Sequence, residues 1–239
     1  MIILGFDTAT SASAIGLRLA NGCTLQARDD PKPGERPGHT TRLLPLAADL
    51  LERAGIAWGD VQRIAVGTGP GGFTGLRIGI ASARGLAQSL GSELVGVSSL
   101  RTLAHGAKGE RGPVLAAIDA RRGEVFAAAY GGAYDGSEEL LVPRTVAPEE
   151  LGRMVGEAGG QCLAIGDGAV RYREQFEAQG ARVPTDDSPL HRIDGAAVCE
   201  IAASLPAAAA VKDVLPDYLR RPDAEVALDS ARQPAGARA

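Results

Sequence analysis

The apolar positions change their period several times along this chain of 239 residues. Residues 2–6 are wholly apolar and end at Asp7-Thr8, the pattern of a short strand buried on both faces. From Ala14 to Ala20 the period is two, with Ile15, Leu17 and Leu19 on one side, and Asn21-Gly22 then leads into residues 23–27. An Asn-Gly pair between two such runs predicts a hairpin. Prolines and charges make 29–38 an exposed loop. Leu43, Ala47, Leu50, Leu51 and Ala54 then recur at helical spacing and predict a helix over 42–54, with Pro45 near its first turn and Gly55 as its C-terminal cap. A strand over 61–66, a helix over 74–90 and a strand over 93–97 complete a β-β-β-α-β-α-β order. The order recurs as a strand over 114–118, a turn over 119–123, strands over 125–130 and 139–142, a helix over 148–157, a strand over 163–165 and a helix over 169–179. No sequence repeat accompanies it, yet the duplicated element order predicts a two-lobed α/β protein with lobes at 1–105 and 106–222. A helical stretch over 195–204 is available to pack back on the first lobe, and an alanine run follows at 207–210. Residues 223–239, aperiodic and poor in large apolar side chains, are expected to form a disordered tail.

Composition narrows the function classes. At 45% hydrophobic and 23% charged residues, a chain of this size buries roughly 70% of its unfolded surface without staples. Cys23, Cys162 and Cys199 are scattered and form no CxxC pair, which favours a reducing compartment. Met1 runs into the first apolar stretch with no basic leader, and no apolar run approaches the roughly 18 residues of a membrane span. A cytoplasmic location without a membrane is expected. The net charge of −4 and only 4 Phe, 4 Tyr and 1 Trp argue against nucleic-acid binding by the chain alone, through either counterion release or base stacking. Arg77, Arg84, Arg121 and Arg122 remain as a candidate local basic patch.

Gly67, Gly69 and Gly72 fit G-x-G-x-x-G between a strand and a helix. Pro70 removes a backbone donor from that loop, however, and the nearest downstream acid, Glu93, opens the next strand where a ribose-binding acid would close it. The turn therefore reads as a close-packed strand-to-helix joint. Asp7, Thr8, Thr10 and Ser11 after the first strand, and Asp119 and Arg121 in the equivalent turn of the second lobe, outline a degenerate nucleotide cleft. Turns so placed face a phosphate in sugar-kinase and actin-like ATPases. The alternative is that Asp7 and Asp119 serve only the amides of their own turns. An adenosine turn has only Gly166-Asp167-Gly168 to represent it. His39, His105 and His191 stand far apart, and Gly96-Val97-Ser98-Ser99-Leu100 lacks the second glycine of a nucleophile elbow. No catalytic residue, metal or cofactor is expected. The helix over 74–90 carries Gly75, Gly79, Ala83 and Ala87 as a stripe of small residues. Leu76, Ile80, Leu86 and Leu90 beside it extend its apolar surface beyond what one sheet contact requires. Either the rest of the domain covers that surface or a second chain does. On the second reading the partner face is Leu43, Ala47, Leu50 and Leu51 with Gly75, Leu76, Gly79, Ile80 and Ala83.

Five stretches, 4–10, 38–45, 69–79, 118–125 and 216–220, together resemble one family. The most specific are Gly69-Pro70-Gly71-Gly72-Phe73-Thr74-Gly75-Leu76-Arg77, Asp119-Ala120-Arg121-Arg122 and Pro216-Asp217-Tyr218-Leu219-Arg220. The chain is similar to the TsaB (YeaZ) family of tRNA threonylcarbamoyladenosine (t6A) synthesis, densely over 1–130 and thinly through the second lobe. The resemblance implies a two-lobed actin-like fold and a non-catalytic paralogue of TsaD, the subunit that transfers the threonylcarbamoyl group. TsaD-type sequences carry Val-Asn-His-Leu-Glu-Gly-His where this chain has residues 97–103. Ser99 and Leu103 therefore stand at the metal-ligand histidine positions, and the iron or zinc site is expected to be lost. The partners implied are a TsaD-type transferase, a TsaE-type ATPase, a second copy when the chain is alone, and tRNA only through the complex. The competing function is an actin-like ATP-dependent phosphoryl or carbamoyl transferase acting on its own.

Overall fold

The computed structural model describes residues 1–32, 34–131, 139–157 and 162–220. β1 (Ile3–Asp7), β2 (Ser13–Arg18) and β3 (Thr24–Asp29) form an antiparallel meander that sets Leu4 opposite Leu17 and Phe6 opposite Ile15. β4 (Arg63–Gly69) then pairs parallel to β1, and β5 (Glu93–Ser98) parallel to β4, for the order β3-β2-β1-β4-β5. Parallel neighbours need crossovers. α1 (His39–Ala54) and α2 (Phe73–Leu90) supply them and lie on the same face of the sheet.

After β5 the short α3 (Ser99–His105) leads into a second sheet, ordered β8-β7-β6-β9. Its strands are β6 (Val114–Arg121), β7 (Glu124–Tyr130), β8 (Glu139–Val146) and β9 (Leu163–Ile165). β6, β7 and β8 are antiparallel and β9 joins β6 in parallel, repeating the plan of the first sheet with one strand fewer. α4 (Pro148–Glu157), α5 (Asp167–Arg171) and α6 (Arg173–Glu177) follow on this lobe, where Leu151, Ala169 and Phe176 join Leu115, Val125 and Val146 in one core. α7 (Gly195–Ser204) returns to the first sheet and covers its free face, with Val198, Cys199 and Ile201 against Ile3, Ala65 and Val97. A further core joins the lobes. Leu100, Leu103 and Ala104 of α3 meet Ala9, Ala14 and Leu76 on one side and Ile118, Phe126 and Tyr130 on the other. The result is a two-lobed α/β fold with one sheet plan used twice, and no helix among the described residues is long and apolar enough to cross a membrane.

Three local expectations change. α1 begins at His39, so Pro45 lies inside the helix and not in its first turn. The added residues are polar and exposed at Thr40 and Thr41, which hides them from apolar periodicity, and Pro45 sits on the solvent side where a lost backbone bond is cheapest. The helix expected over 169–179 is two short helices separated at Tyr172, whose φ of −114° leaves helical space. α3 was not anticipated. Its N-cap Ser98 accepts the Arg101 N–H at 3.4 Å, but seven residues are too few to show a period. Gly55 does adopt the left-handed conformation of a C-cap, at φ 66°. The tail at 223–239 lies outside the described residues.

Candidate functional site: the cleft between the lobes

A concavity of about 870 Å³ separates the lobes. One wall is the turn after β1, at Thr10 and Ser11, with the N-terminal ends of α1 and α2; the other is the end of β6, from Ile118 to Arg122, with Phe126 and Asp167. Residues 217–220 line it from one lobe to the other.

Asp7 and Thr8 do not reach this space. Asp7 is 1% exposed; its Oδ1 accepts the Ala9 N–H at 2.7 Å and its Oδ2 accepts the Ser99 hydroxyl at 2.6 Å. Burial pushes the Asp7 carboxyl above the usual carboxylate range, opposed by those two donors. Gly67 makes room for it, since a Cβ there would overlap the carboxylate. Thr8 is fully buried and donates its hydroxyl to the Gly75 carbonyl at 2.8 Å. Thr10 and Ser11 are thus what the first turn offers the cleft.

The second turn is built differently. Asp119 donates its N–H to Asp167 Oδ1 at 3.0 Å, and its own carboxylate accepts the Arg121 N–H at 3.0 Å and the Arg171 guanidinium at 3.1 Å. Arg121 and Arg122, at φ 64° and 56°, precede Gly123 at φ 81°. Successive left-handed residues close a tight hairpin between β6 and β7. That turn leaves the Arg121 side chain 78% exposed on the rim. Desolvation and the Asp119 charge push the Asp167 carboxyl upward, against the Asp119 amide and Arg121. Gly166 and Gly168, read as an adenosine turn, instead bring their backbone against Ala117 of β6. Both aspartates are engaged with their own turns; of the anticipated set Thr10, Ser11, Asp119 and Arg121 line the cleft, Asp119 with its carboxylate already bonded.

The histidines sit in three separate settings. His39 Nδ1 lies 2.8 Å from Ser13 Oγ, and burial holds its pKa below the usual value. His105 Nε2 lies 2.9 Å from Glu200 Oε2, and His191 accepts the Gly166 N–H at 3.1 Å. Among the described residues no three His, Cys, Asp or Glu side chains gather as a metal site. Ser99 is fully buried and also accepts the Gly69 N–H at 3.2 Å, while Leu103 is 1% exposed in the core between the lobes.

The expected partner face needs correction. Leu43, Ala47, Leu50, Leu51, Gly75, Leu76, Gly79, Ile80 and Ala83 are all buried within this one chain. A Cβ at Gly75 would overlap the Thr8 carbonyl oxygen and one at Gly79 the Thr8 hydroxyl. The small-residue stripe lets α2 approach the turn after β1 in its own lobe. Outward the two helices show Leu44 and Phe73, and Leu215 and Tyr218 of the C-terminal segment are exposed as well. Two members of the candidate basic patch are held in place by neutral groups that leave their charge. Arg84 donates to the carbonyls of Lys212 and Val214, and Arg77 stacks on Phe73 at 3.7 Å while donating to the Tyr218 hydroxyl at 2.9 Å. Sequence reasoning placed residues 214–220 in the second lobe without an element of their own, although their motif was visible; in the structure they touch both lobes.

The family model of the tRNA N6-adenosine threonylcarbamoyltransferase TsaD matches residues 35–228. The tRNA threonylcarbamoyladenosine biosynthesis protein TsaB of Escherichia coli is 42% identical over 176 residues, which are 70% of this chain and 72% of that protein. The TsaB protein of Bacillus subtilis is 29% identical over 94% of this chain and 96% of its own length. Among solved structures, YeaZ from Pseudomonas aeruginosa superposes with a TM-score of 0.75 at 32% identity, covering 91% of this chain and 99% of that one.

Proposed function

The chain belongs to the TsaB (YeaZ) family of t6A biosynthesis proteins, and we propose that it serves there as a non-catalytic subunit holding a TsaD-type transferase and a TsaE-type ATPase. One observation carries this reading. Where TsaD-type sequences place two histidines, this chain has Ser99, turned into the Asp7 and Gly69 hydrogen bonds, and Leu103, enclosed in apolar core. A hydroxyl already bonded to a carboxylate is a poor metal ligand and an alkyl chain is none. Of the residues that could do chemistry, Asp7, His39 and Cys199 are buried in structural roles. Burial pushes the Cys199 thiol up to about 12, far from a reactive thiolate.

The competing reading, an ATP-dependent transferase acting on its own, draws on Thr10, Ser11 and Arg121 lining the cleft. Activity measurements separate the two. The purified chain with tRNA, ATP and a threonylcarbamoyl donor is expected to form no t6A and to turn over no ATP, and adding a TsaD-type protein is expected to bring on the modification. Modified tRNA from the chain alone sinks the scaffold reading.

The partner face we propose is the exposed side of α1 and α2, with a second copy occupying it when no TsaD-type protein is present. Leu44 is 46% exposed there. Leu44→Asp is expected to weaken both associations by about 2 kcal/mol, the level of an interface hot spot. Its melting temperature should stay near that of the parent, because a surface change away from the core costs little. Sedimentation of the isolated chain, a TsaD-type pull-down and a thermal melt check this, and unchanged association rejects the face.

A further inference from the structure

Three stretches carry the chain from one lobe to the other: 106–113, 184–194 and 214–220. Residues of the first two do not line the cleft, whereas Asp217, Tyr218, Leu219 and Arg220 do. Two crossings that stay clear of a cleft leave a hinge; a third that runs along the cleft from lobe to lobe opposes its opening.

The third crossing is fastened at both ends. On the first lobe Val214 is buried in the core beneath α2, and the Arg84 guanidinium holds the carbonyls of Lys212 and Val214. The Asp217 N–H donates to the Thr68 carbonyl of β4 at 2.7 Å. The Tyr218 ring stacks on Phe73 with centroids 5.3 Å apart, and Arg77 bonds its hydroxyl. On the second lobe Leu219 packs against the core between the lobes, and its carbonyl accepts the Thr145 hydroxyl at 3.4 Å. Arg220 then grips the end of the β6–β7 hairpin, donating to the Ala120 carbonyl at 2.9 Å and pairing with Glu124 at 3.1 Å.

The distance along the chain makes this mechanical. From the Asp217 Cα, anchored on Thr68, to the Arg220 Cα the backbone spans at most about 11 Å even fully extended, and only the Arg220 side chain adds reach to the anchor on Ala120. The lobes cannot swing apart without breaking one anchor. We propose that residues 214–220 are a clasp that keeps the two lobes from opening past this separation, so that the opening half of the hinge motion available to two-lobed folds is disabled in this chain. The inference goes beyond the scaffold reading and does not depend on it, since it concerns the motion of the isolated molecule.

Electron–electron dipolar spectroscopy on the full chain tests it. Nitroxides are placed at Ala48→Cys on α1 and Gln179→Cys beyond α6, both exposed positions, in a Cys23→Ser background that removes the exposed native thiol, and the labelled chain is diluted into unlabelled chain so that a second copy on the α1–α2 face adds no distance. The parent is expected to give one narrow distance distribution, with or without ATP. Arg220→Ala, which releases the second-lobe end, should broaden it and move its mean to longer distance. Tyr218→Ala, which loosens the first-lobe end through an exposed ring, should do the same, and it carries the test if the first variant does not fold. Arg220→Lys, whose single ammonium can stand in for the one nitrogen, Nη1, that meets both Ala120 and Glu124 but sits on a shorter side chain, should fall between. A folded variant of either kind with an unchanged distribution overturns the clasp, as does a parent distribution that is already broad.

Discussion

Replacing Gly79 by leucine is expected to unfold or severely loosen the chain itself, with any loss of partner binding only following from that. Gly79 lies on the side of α2 that meets Thr8. A Cβ there would overlap the Thr8 hydroxyl, and Val66 Cγ2 stands 3.7 Å away on the same side. That hydroxyl is donated to the Gly75 carbonyl, so a bulky side chain both overfills the contact and breaks a buried bond. Overpacking costs about 1 to 3 kcal/mol, and a buried polar group left unpaired costs about 1 to 3 more. Against a total stability of roughly 5 to 15 kcal/mol, that is a large share. Gly85 is the control on the same helix. Its Cβ would meet nothing within 4 Å, so Gly85→Ala should stabilise by about 0.5 to 1 kcal/mol through helix propensity. Urea denaturation of the two variants reads both signs. Gly79→Leu with the parent midpoint would show that the stripe has room, and would return it to the list of surfaces open to a partner.

The second large effect follows from putting the histidines back. Ser99→His with Leu103→His recreates the residue types of a TsaD-type metal site, but the backbone holds both positions inside. Leu103 packs among Leu100, Ala104 and Phe126, and exchanging its side chain for an imidazole without a partner should cost about 3 kcal/mol or more. Ser99→His also withdraws the hydroxyl that Asp7 accepts at 2.6 Å and that receives the Gly69 N–H. The double variant is therefore expected to lose stability and to bind neither iron nor zinc. Metal analysis after loading, beside a urea titration, decides it. Stoichiometric metal in a variant with an unchanged midpoint would falsify the account of this pocket as closed core.

Much of the first lobe was legible because its signals are local. A wholly apolar run, a run of period two, an Asn-Gly pair and a glycine at the end of α1 each act over a few residues, and each produced the element expected of it at β1, β2, the β2–β3 turn and Gly55. The missing histidines at 99 and 103 were equally plain, since a residue's identity requires no fold to be read. α3 escaped because its seven residues complete barely two turns. The break at Tyr172 escaped because the apolar spacing runs on across it.

What the linear pattern left open was direction and distance. An α-helix that is apolar around most of its circumference has no unique inward side, so a stripe of Gly75, Gly79 and Ala83 looks the same whether its own sheet or a second chain lies against it. Thr8, buried under α2 by the turn after β1, settled that choice. Asp7 could equally have faced a ligand or its own turn; Ser99, 92 residues away, drew it inward. Arg220 meets Ala120 across 100 residues of chain, a contact that no periodicity can encode. The sequence by itself determined the elements, their duplicated order and the residues absent from the site, because short-range sterics and hydrophobic period act within one element. Only the tertiary structure decided which faces are core, which turn residues reach the cleft and what spans it, because those follow from where the sheets and the returning C-terminal segment come to rest against one another.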